Sequence, residues 1–392
     1  MKDFSFYIPT RIIFGNGKFD VLGKEVAQIG RRALLVTYPG EVLENWVDRA
    51  INLLEDNGVS VVLFREVEVN PDHLLINRGG ELARAENCNV VIGLGGGSAI
   101  DVAKGIAVVA GENKDIWEIY EGAPITREAL PVVAITTTAG TGSEATFFSV
   151  VSNRELKQKE GFALPQFYPK LSICDPMLTL DLPSRITAET GLDALSHSIE
   201  AYYCNFATPV VDALAVHAIG LVADNLRKAV FDGKDPVARY NMMLANTLAG
   251  MAITQSDSCL AHVIGEAVGG VYNVGHGLSV ALCLPATMEY NTMAAMEKFA
   301  TIAELMDEDA RGLSLRDAAL RAPGTIRELI EDVGLPLGLR AIGVDDLAQV
   351  KELVNRPGGD ESSPRPAGTE DFDLLLEACM EPEMSYWKVG GH

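Results

Sequence analysis

Residues 89–104 read NVVIGLGGGSAIDVAK, an apolar run followed by three consecutive glycines and a segment with helical spacing. A glycine-rich turn between a strand and a helix leaves main-chain N–H groups free, and the helix dipole favours a phosphate there. Glycines also let a diphosphate approach the main chain, because they carry no Cβ atom. The pattern departs from GxGxxG at Ser98, and Ser98 with Asp101 could equally form a capping box. These residues alone leave a phosphate site and a purely structural turn open.

Similar apolar runs recur on both sides of this motif and alternate with amphipathic segments. The sequence predicts helices at residues 42–57 and 72–87 and strands at residues 33–37, 59–64, 89–94, 131–136 and 171–174. Continuous apolar strands separated by helices are typical of a parallel sheet covered on both faces. Residues 4–14 are predicted to add a strand or hairpin at the edge of the sheet.

The pattern changes after Asp175, where prolines and helix caps replace the strand-like runs. From about residue 187 onward the spacing is helical, and many segments are rich in Ala and Leu, as in helices buried on more than one side. The sequence therefore predicts an α/β N-terminal domain over residues 1–180, doubly wound around a mainly parallel sheet. An all-α C-terminal domain is predicted over residues 181–392.

Composition narrows the possible functions. The chain has 392 residues and a formal net charge of −22, whereas a nucleic-acid-binding protein normally carries a basic face. No uninterrupted apolar run approaches the roughly 18 residues of a membrane span, and the N-terminus lacks a signal-peptide pattern. The six cysteines form no CxxC pair, which argues against a disulfide framework or a zinc ribbon. We predict a cytoplasmic protein that binds neither nucleic acid nor membrane.

A second polar loop follows another predicted strand. Residues 136–146 read TTTAGTGSEAT and supply hydroxyl and main-chain donors. In open α/β sheets, ligands bind at the carboxyl ends of the strands. Two such loops after neighbouring strands favour a nucleotide site, although a polar surface loop is the simpler alternative.

Histidines and one aspartate form the most distinctive pattern. Asp193 and His197, in GLDALSHSIEAY, are four residues apart and share a helix face. His262 and His276 follow, and one carboxylate with three imidazoles is a plausible set for Fe²⁺ or Zn²⁺ with a position open for substrate. An Asp/His pair at this spacing is common by itself. Of the other histidines, His217 is expected in the core or an interface and His73 at the surface.

Taken together, these motifs resemble those of the iron-containing (group III) alcohol dehydrogenase family. The resemblance extends over nearly the whole chain, through IPTRIIFGNG, GGGSAIDVAK, TTAGTGSE, ICDP, GLDALSHSIEAY, GHGLSVALCLP and SPRPAGTED. It implies a dehydroquinate-synthase-like architecture and metal ligation by Asp193, His197, His262 and His276. It also implies contacts to a cofactor diphosphate by Gly95, Gly96, Gly97 and Ser98, and further cofactor contacts by Thr137, Thr138, Thr141 and Lys159.

The sequence departs from the family pattern at two positions. Tyr38 stands where members that use NAD commonly carry an Asp, whose carboxylate would bind the ribose 2′-hydroxyl and repel a 2′-phosphate. We therefore expect NADP(H) to be preferred slightly over NAD(H), with the Tyr38 ring against the adenosine. Glu266 stands where many members have a second histidine. Its possible roles are a pocket wall that binds a second substrate hydroxyl, a catalytic proton relay, a fifth metal ligand, or a solvent-facing residue with no role.

The resemblance implies a metal-dependent alcohol dehydrogenase or aldehyde reductase that transfers a hydride between a small primary alcohol or diol and a nicotinamide cofactor. A polyol dehydrogenase or a lyase on the same scaffold is an alternative. A phosphorylated substrate would need Lys or Arg near the ligands, and none occurs at residues 187–205 or 255–290. A non-catalytic oligomeric scaffold is an alternative of another class. A homodimer or a higher homo-oligomer is expected.

Overall fold

The computed structural model describes residues 3–41, 43–156, 158–355, 361–381 and 385–389. The chain divides into two compact units. One is Ile8–Asp181, and the other runs from Leu182 to the C-terminus and includes the N-terminal residues through Tyr7.

The first unit contains a six-stranded sheet in which every pair of neighbours is parallel. Its strands lie in the order β1-β8-β5-β4-β2-β3. They are β1 (Arg11–Phe14), β2 (Arg32–Val36), β3 (Ser60–Phe64), β4 (Val90–Gly95), β5 (Val132–Thr136) and β8 (Leu171–Cys174). The predicted parallel sheet is confirmed, and β1 is a single edge strand rather than a hairpin.

Helices cover both faces of this sheet. They are α1 (Leu22–Val26), α2 (Glu44–Glu55), α3 (His73–Ala85), α4 (Gly97–Glu112) and α5 (Ile116–Tyr120). One apolar core holds Leu75 of α3 and Ile106 of α4, and the other holds Leu22 of α1 and Leu54 of α2. Because each face carries its own core, β2, β4 and β5 are almost wholly apolar.

A two-stranded antiparallel hairpin, not expected from the sequence, lies outside the main sheet. It consists of β6 (Phe148–Asn153) and β7 (Gln158–Ala163). The side chain of Asp101 on α4 accepts a hydrogen bond of 3.0 Å from the main-chain N–H of Val150, which ties β6 to the helix.

The order of the strands creates a ligand-binding position in this unit. β2 pairs with β3 on one side and with β4 on the other, so the chain changes direction across the sheet between β3 and β4. Open α/β sheets bind ligands beyond the carboxyl ends of strands at such a switch point. The loops after β2 and β4 therefore meet where a nucleotide is expected.

The described residues of the second unit from Leu182 onward form helices and no β-strand. The helices are α6 (Ser184–Tyr203), α7 (Pro209–Phe231), α8 (Pro236–Ser256), α9 (Leu260–Tyr272), α10 (His276–Asn291), α11 (Met296–Met306), α12 (Leu315–Asp332), α13 (Ala348–Val354), α14 (Thr369–Met380) and α15 (Tyr386–Val389). Helix α6 packs against α7, α8 and α10, and α9 packs against α10.

One helix among the described residues is long and apolar enough to cross a membrane. It is α7, whose most apolar window has a mean hydropathy of 1.3 and is 39% buried within the protein. Core helices of soluble proteins pass the same test, so the absence of a membrane span stays a prediction. The expectation of a surface position for His73 was wrong, since that side chain is buried. His217 on α7 is exposed and so does not lie in the core, and its place in an interface stays a prediction.

Candidate metal centre and nucleotide-binding turn

Helix α6 supplies two of the four predicted metal ligands from one buried face. Asp193 and His197 lie one turn apart and are only 1% and 6% exposed. Their neighbours on the helix, Leu192 and Leu195, are also buried. Two buried polar side chains need partners of their own, and α9 and α10 provide them.

Helices α9 and α10 supply His262 and His276, and glycines let these helices approach closely. A Cβ atom at Gly265 of α9 would lie 2.7 Å from Cγ2 and 2.8 Å from Cα of Val280 on α10. A Cβ atom at Gly277 of α10 would lie 2.4 Å from the carbonyl oxygen of Glu189 on α6. Small residues at both crossings therefore hold the three ligand-bearing helices in contact.

The structure brings all four predicted ligands together. One ligand atom from each of Asp193, His197, His262 and His276 lies within 4.8 Å of the others. The ring centroids of His197 and His262 are 4.6 Å apart, and Nε2 of His276 lies 3.7 Å from Oδ1 of Asp193. His276 is half-buried, while the other three are buried.

The donor atoms fit a divalent cation. Oδ1 of Asp193 and Nε2 of His262 are buried and have no hydrogen-bond partner. Buried polar atoms normally have a partner, so two such atoms in one cluster of ligand-type residues fit a cation-binding site. Three imidazoles and one carboxylate suit Fe²⁺ or Zn²⁺.

Sequence reasoning missed Glu200, which contacts the ligand set. Its side chain is fully buried on α6, and Oε2 forms a short contact with Nδ1 of His262. Burial is the largest single influence and lowers the pKa of His262. The charge of Glu200 and its contact with the ring, together with the charges of Asp193 and Glu266, raise the pKa to about 9 in the metal-free protein. The sequence held a signal for it, since Asp193, His197 and Glu200 follow the i, i+4, i+7 spacing of one helix face.

Glu266 lies on α9, one turn after His262, and is half-buried. Its negative charge is among the influences that raise the pKa of His262, which places the two side chains in the same neighbourhood. Glu266 does not belong to the cluster of four ligand atoms. A role beside the cluster therefore fits the structure better than a fifth ligand.

In the first unit, the glycine-rich turn after β4 packs tightly against the loop after β5. A Cβ atom at Gly96 would lie 3.1 Å from Cγ2 of Thr138, and one at Gly97 would lie 2.6 Å from Cγ2 of Thr141. Thr137 donates a main-chain hydrogen bond of 2.9 Å to the carbonyl of Gly95. The two polar loops thus form one surface at the N-terminus of α4.

Tyr38, two residues after β2, lies on this surface. A Cβ atom at Gly95 would be 2.8 Å from Cε2 of the Tyr38 ring, and one at Gly96 would be 3.4 Å from the hydroxyl. Burial raises the pKa of Tyr38, while a hydrogen bond with Ser98 opposes that shift. The ring thus covers the main chain that a diphosphate would approach.

Two other expectations for this unit need correction or qualification. Helix α4 is capped by Gly96 without a side-chain hydrogen bond, so Ser98 and Asp101 do not form a capping box. Instead, Asp101 contacts Ser143 and lies 3.7 Å from the buried ammonium group of Lys104. Lys159 lies on β7 opposite Ser152, in the hairpin rather than in either loop.

The chain matches two family models and several characterised relatives over most of its length. Residues 9–176 match the family model described as iron-containing alcohol dehydrogenase, and residues 187–380 match the C-terminal model of the Fe-containing alcohol dehydrogenase family. The 1,3-propanediol dehydrogenase of Klebsiella pneumoniae is 38% identical over 95% of this chain and 98% of its own length. The NAD-dependent methanol dehydrogenase of Bacillus methanolicus is 35% identical over 96% of this chain and 100% of its own length. The crystal structure of a 1,3-propanediol oxidoreductase superposes with a TM-score of 0.92 at 37% identity, covering 97% of this chain and 100% of that one.

Proposed function

The chain belongs to the iron-containing alcohol dehydrogenase family, and from that premise we propose that it oxidises small diols to hydroxyaldehydes and catalyses the reverse reduction. It is a metal-dependent alcohol dehydrogenase that uses a nicotinamide cofactor. The observation that carries the proposal is the buried cluster of Asp193, His197, His262 and His276, whose ligand atoms lie within 4.8 Å of one another.

These four residues would hold a divalent ion, iron by family membership. When bound, the ion supplies Lewis-acid polarisation of the alcohol or carbonyl oxygen. Asp193, His197 and His262 are themselves buried, so these ligands are largely shielded from solvent. Low local polarity strengthens every charge interaction inside the site.

Glu266 supports a diol as the substrate class. A half-buried carboxylate one turn from His262 can accept a hydrogen bond from a second hydroxyl group on the substrate. A relay role would need a carboxyl pKa near neutrality, which nearby positive charge would oppose. The similarity to a 1,3-propanediol dehydrogenase agrees with a diol.

For the cofactor we propose NAD(H) in place of the NADP(H) preference expected from Tyr38. Arg65, just after β3, makes hydrogen bonds of 2.7 and 3.0 Å to Glu44, so its charge is already balanced. Glu41 adds a further carboxylate to the same depression beyond β2. A 2′-phosphate would meet net negative charge there, and a relative at 35% identity is NAD-dependent.

We further propose that the enzyme acts in the cytoplasm as a homodimer or a larger homo-oligomer, since closed symmetric assemblies are the commonest form of soluble oligomers. The net charge of −22 agrees with the absence of nucleic acid among its partners. Light scattering on the purified protein would test the assembly, and a monomer at micromolar concentration would contradict it.

The function is tested by steady-state kinetics on protein depleted of metal and then reloaded with Fe²⁺ or Zn²⁺. We expect turnover of 1,3-propanediol and 1-propanol with NAD⁺ only after reloading. Glu266→Gln should raise KM for 1,3-propanediol about tenfold, because a charge-assisted hydrogen bond contributes about 1.5–3 kcal/mol, and should leave 1-propanol unchanged.

Glu304→Gln, on an exposed position of α11, is the matched control and should behave as wild type. No turnover of any alcohol by the reloaded enzyme would contradict the proposed function. A fall in kcat for both alcohols in Glu266→Gln, with loss of one limb of the pH profile, would identify a proton relay instead.

A further inference from the structure

We propose that Glu200 is a positioning residue that fixes the tautomer and ring orientation of His262, so that Nε2 of that ring faces the other three metal ligands. This inference rests on the metal site proposed above. It concerns a residue outside the four ligands, on a different helix from His262.

The carboxylate of Glu200 is buried and has three partners. The side chain is fully buried, and its Oε1 accepts a hydrogen bond of 2.8 Å from the main-chain N–H of Ala261. Oε2 contacts Nδ1 of His262 directly. The hydroxyl of Tyr203 donates a longer hydrogen bond of 3.4 Å to Oε1. A buried carboxylate with this set of partners is held in one orientation.

Oε2 of Glu200 can accept a hydrogen bond from Nδ1 of His262, and in that pairing Nδ1 carries the proton. In a neutral imidazole the other nitrogen then presents its lone pair. That nitrogen, Nε2, is buried without a hydrogen-bond partner, as a metal-ligating atom would be. Carboxylate partners of ligating histidines act in this way and raise the basicity of the ring.

Glu200 also contacts the start of the helix that carries His262. The N-cap residue of α9, Cys259, makes no side-chain capping bond, and the N–H of Ala261 is satisfied by Glu200 instead. A negative charge at a helix N-terminus is favourable. A purely structural capping role for Glu200 must therefore be separated from its effect on the ring.

Glu200→Gln separates the two roles. The glutamine oxygen can keep the bond to Ala261, which leaves the NH₂ group facing Nδ1 of His262. That arrangement favours the tautomer with the proton on Nε2. A protonated Nε2 has no free lone pair and cannot bind the metal. Tyr203→Phe is the matched control, because it removes the 3.4 Å contact with the same carboxylate and leaves the ring contact intact.

The measurement is zinc affinity by chelator competition, with ¹⁵N-histidine NMR of the zinc-loaded wild-type protein. We expect Glu200→Gln to bind zinc about 10–100-fold more weakly and Tyr203→Phe to bind it within about twofold of wild type. In wild type, the His262 proton should be on Nδ1 and zinc on Nε2.

Equal zinc affinity in wild type and Glu200→Gln, or equal losses in both variants, would overturn the positioning role. A proton on Nε2 in the zinc-loaded wild type would overturn it even if Glu200→Gln failed to fold. If wild type bound no zinc or iron at all, the proposed metal site and function would fail, which is a distinct result.

Discussion

Gly265→Ala tests whether the contact between α9 and α10 sets the geometry of the metal ligands. The new Cβ atom would lie 2.7–2.9 Å from Cγ2, Cα and N of Val280, two of which are main-chain atoms. Carbon atoms pack at about 3.5–4.0 Å, so the helices must separate by about 1 Å. Gly265 lies three residues after His262, and Val280 lies four after His276, so the displacement reaches both ligands.

The expected cost combines two effects. Replacing glycine by alanine inside a helix stabilises it by about 0.5–1 kcal/mol, whereas overpacking costs about 1–3 kcal/mol. We expect a net loss of up to about 2.5 kcal/mol in the free energy of unfolding. Metal–ligand distances tolerate only about 0.2 Å, so zinc affinity should fall on the order of tenfold or more.

The assay is zinc affinity by chelator competition together with denaturant unfolding of the metal-free protein. Gly324→Ala on α12 is the control, since no atom beyond the adjacent residues and the backbone of α12 itself lies within 4 Å of the added Cβ. That variant should gain stability and keep wild-type zinc affinity. If Gly265→Ala matched it in both measurements, the reasoning about helix contact would be refuted.

Three further predictions follow from other parts of the structure. Tyr38→Asp should increase kcat/KM for NAD⁺ relative to NADP⁺, measured with one alcohol; an unchanged ratio would count against a role for this position. Burial lowers the pKa of Lys104 to about 8, below its ordinary 10.5. Between these pH values the folded state binds fewer protons than the unfolded state, so the free energy of unfolding should rise from pH 8 to 10.5. Denaturant titrations check this, and Lys104→Met showing the same rise would refute it. Chelation of the metal should lower Tm reversibly, whereas His197→Ala should show no Tm response to added zinc.

Much of the fold could be predicted because the central strands of the sheet are buried on both faces. β2, β4 and β5 are continuous apolar runs, and their spacing between helices indicates a parallel sheet. The β6–β7 hairpin escaped prediction, because β7 reads QKEGFA and most of it is not buried. A strand of that composition is identified only by its pairing with β6.

The metal ligands could be predicted because three of them are histidines, a residue type that is rare in this chain. Histidines are few in the chain, and those at 197, 262 and 276 converge with Asp193. The helical spacing placed Glu200 on the same face as Asp193 and His197, but its contact with His262 could not be predicted, because that partner lies 62 positions along the chain. Tyr38 was singled out, but its position over Gly95 depends on strand order, which the local sequence does not specify.

The most direct test of the metal centre is a crystal structure of the iron-loaded protein with diffraction data collected at the iron edge. We predict one anomalous peak per chain, within coordination distance of the ligand atoms of Asp193, His197, His262 and His276. A protein that oxidises alcohols at a normal rate with no peak at these residues, or with its peak elsewhere, would contradict the account.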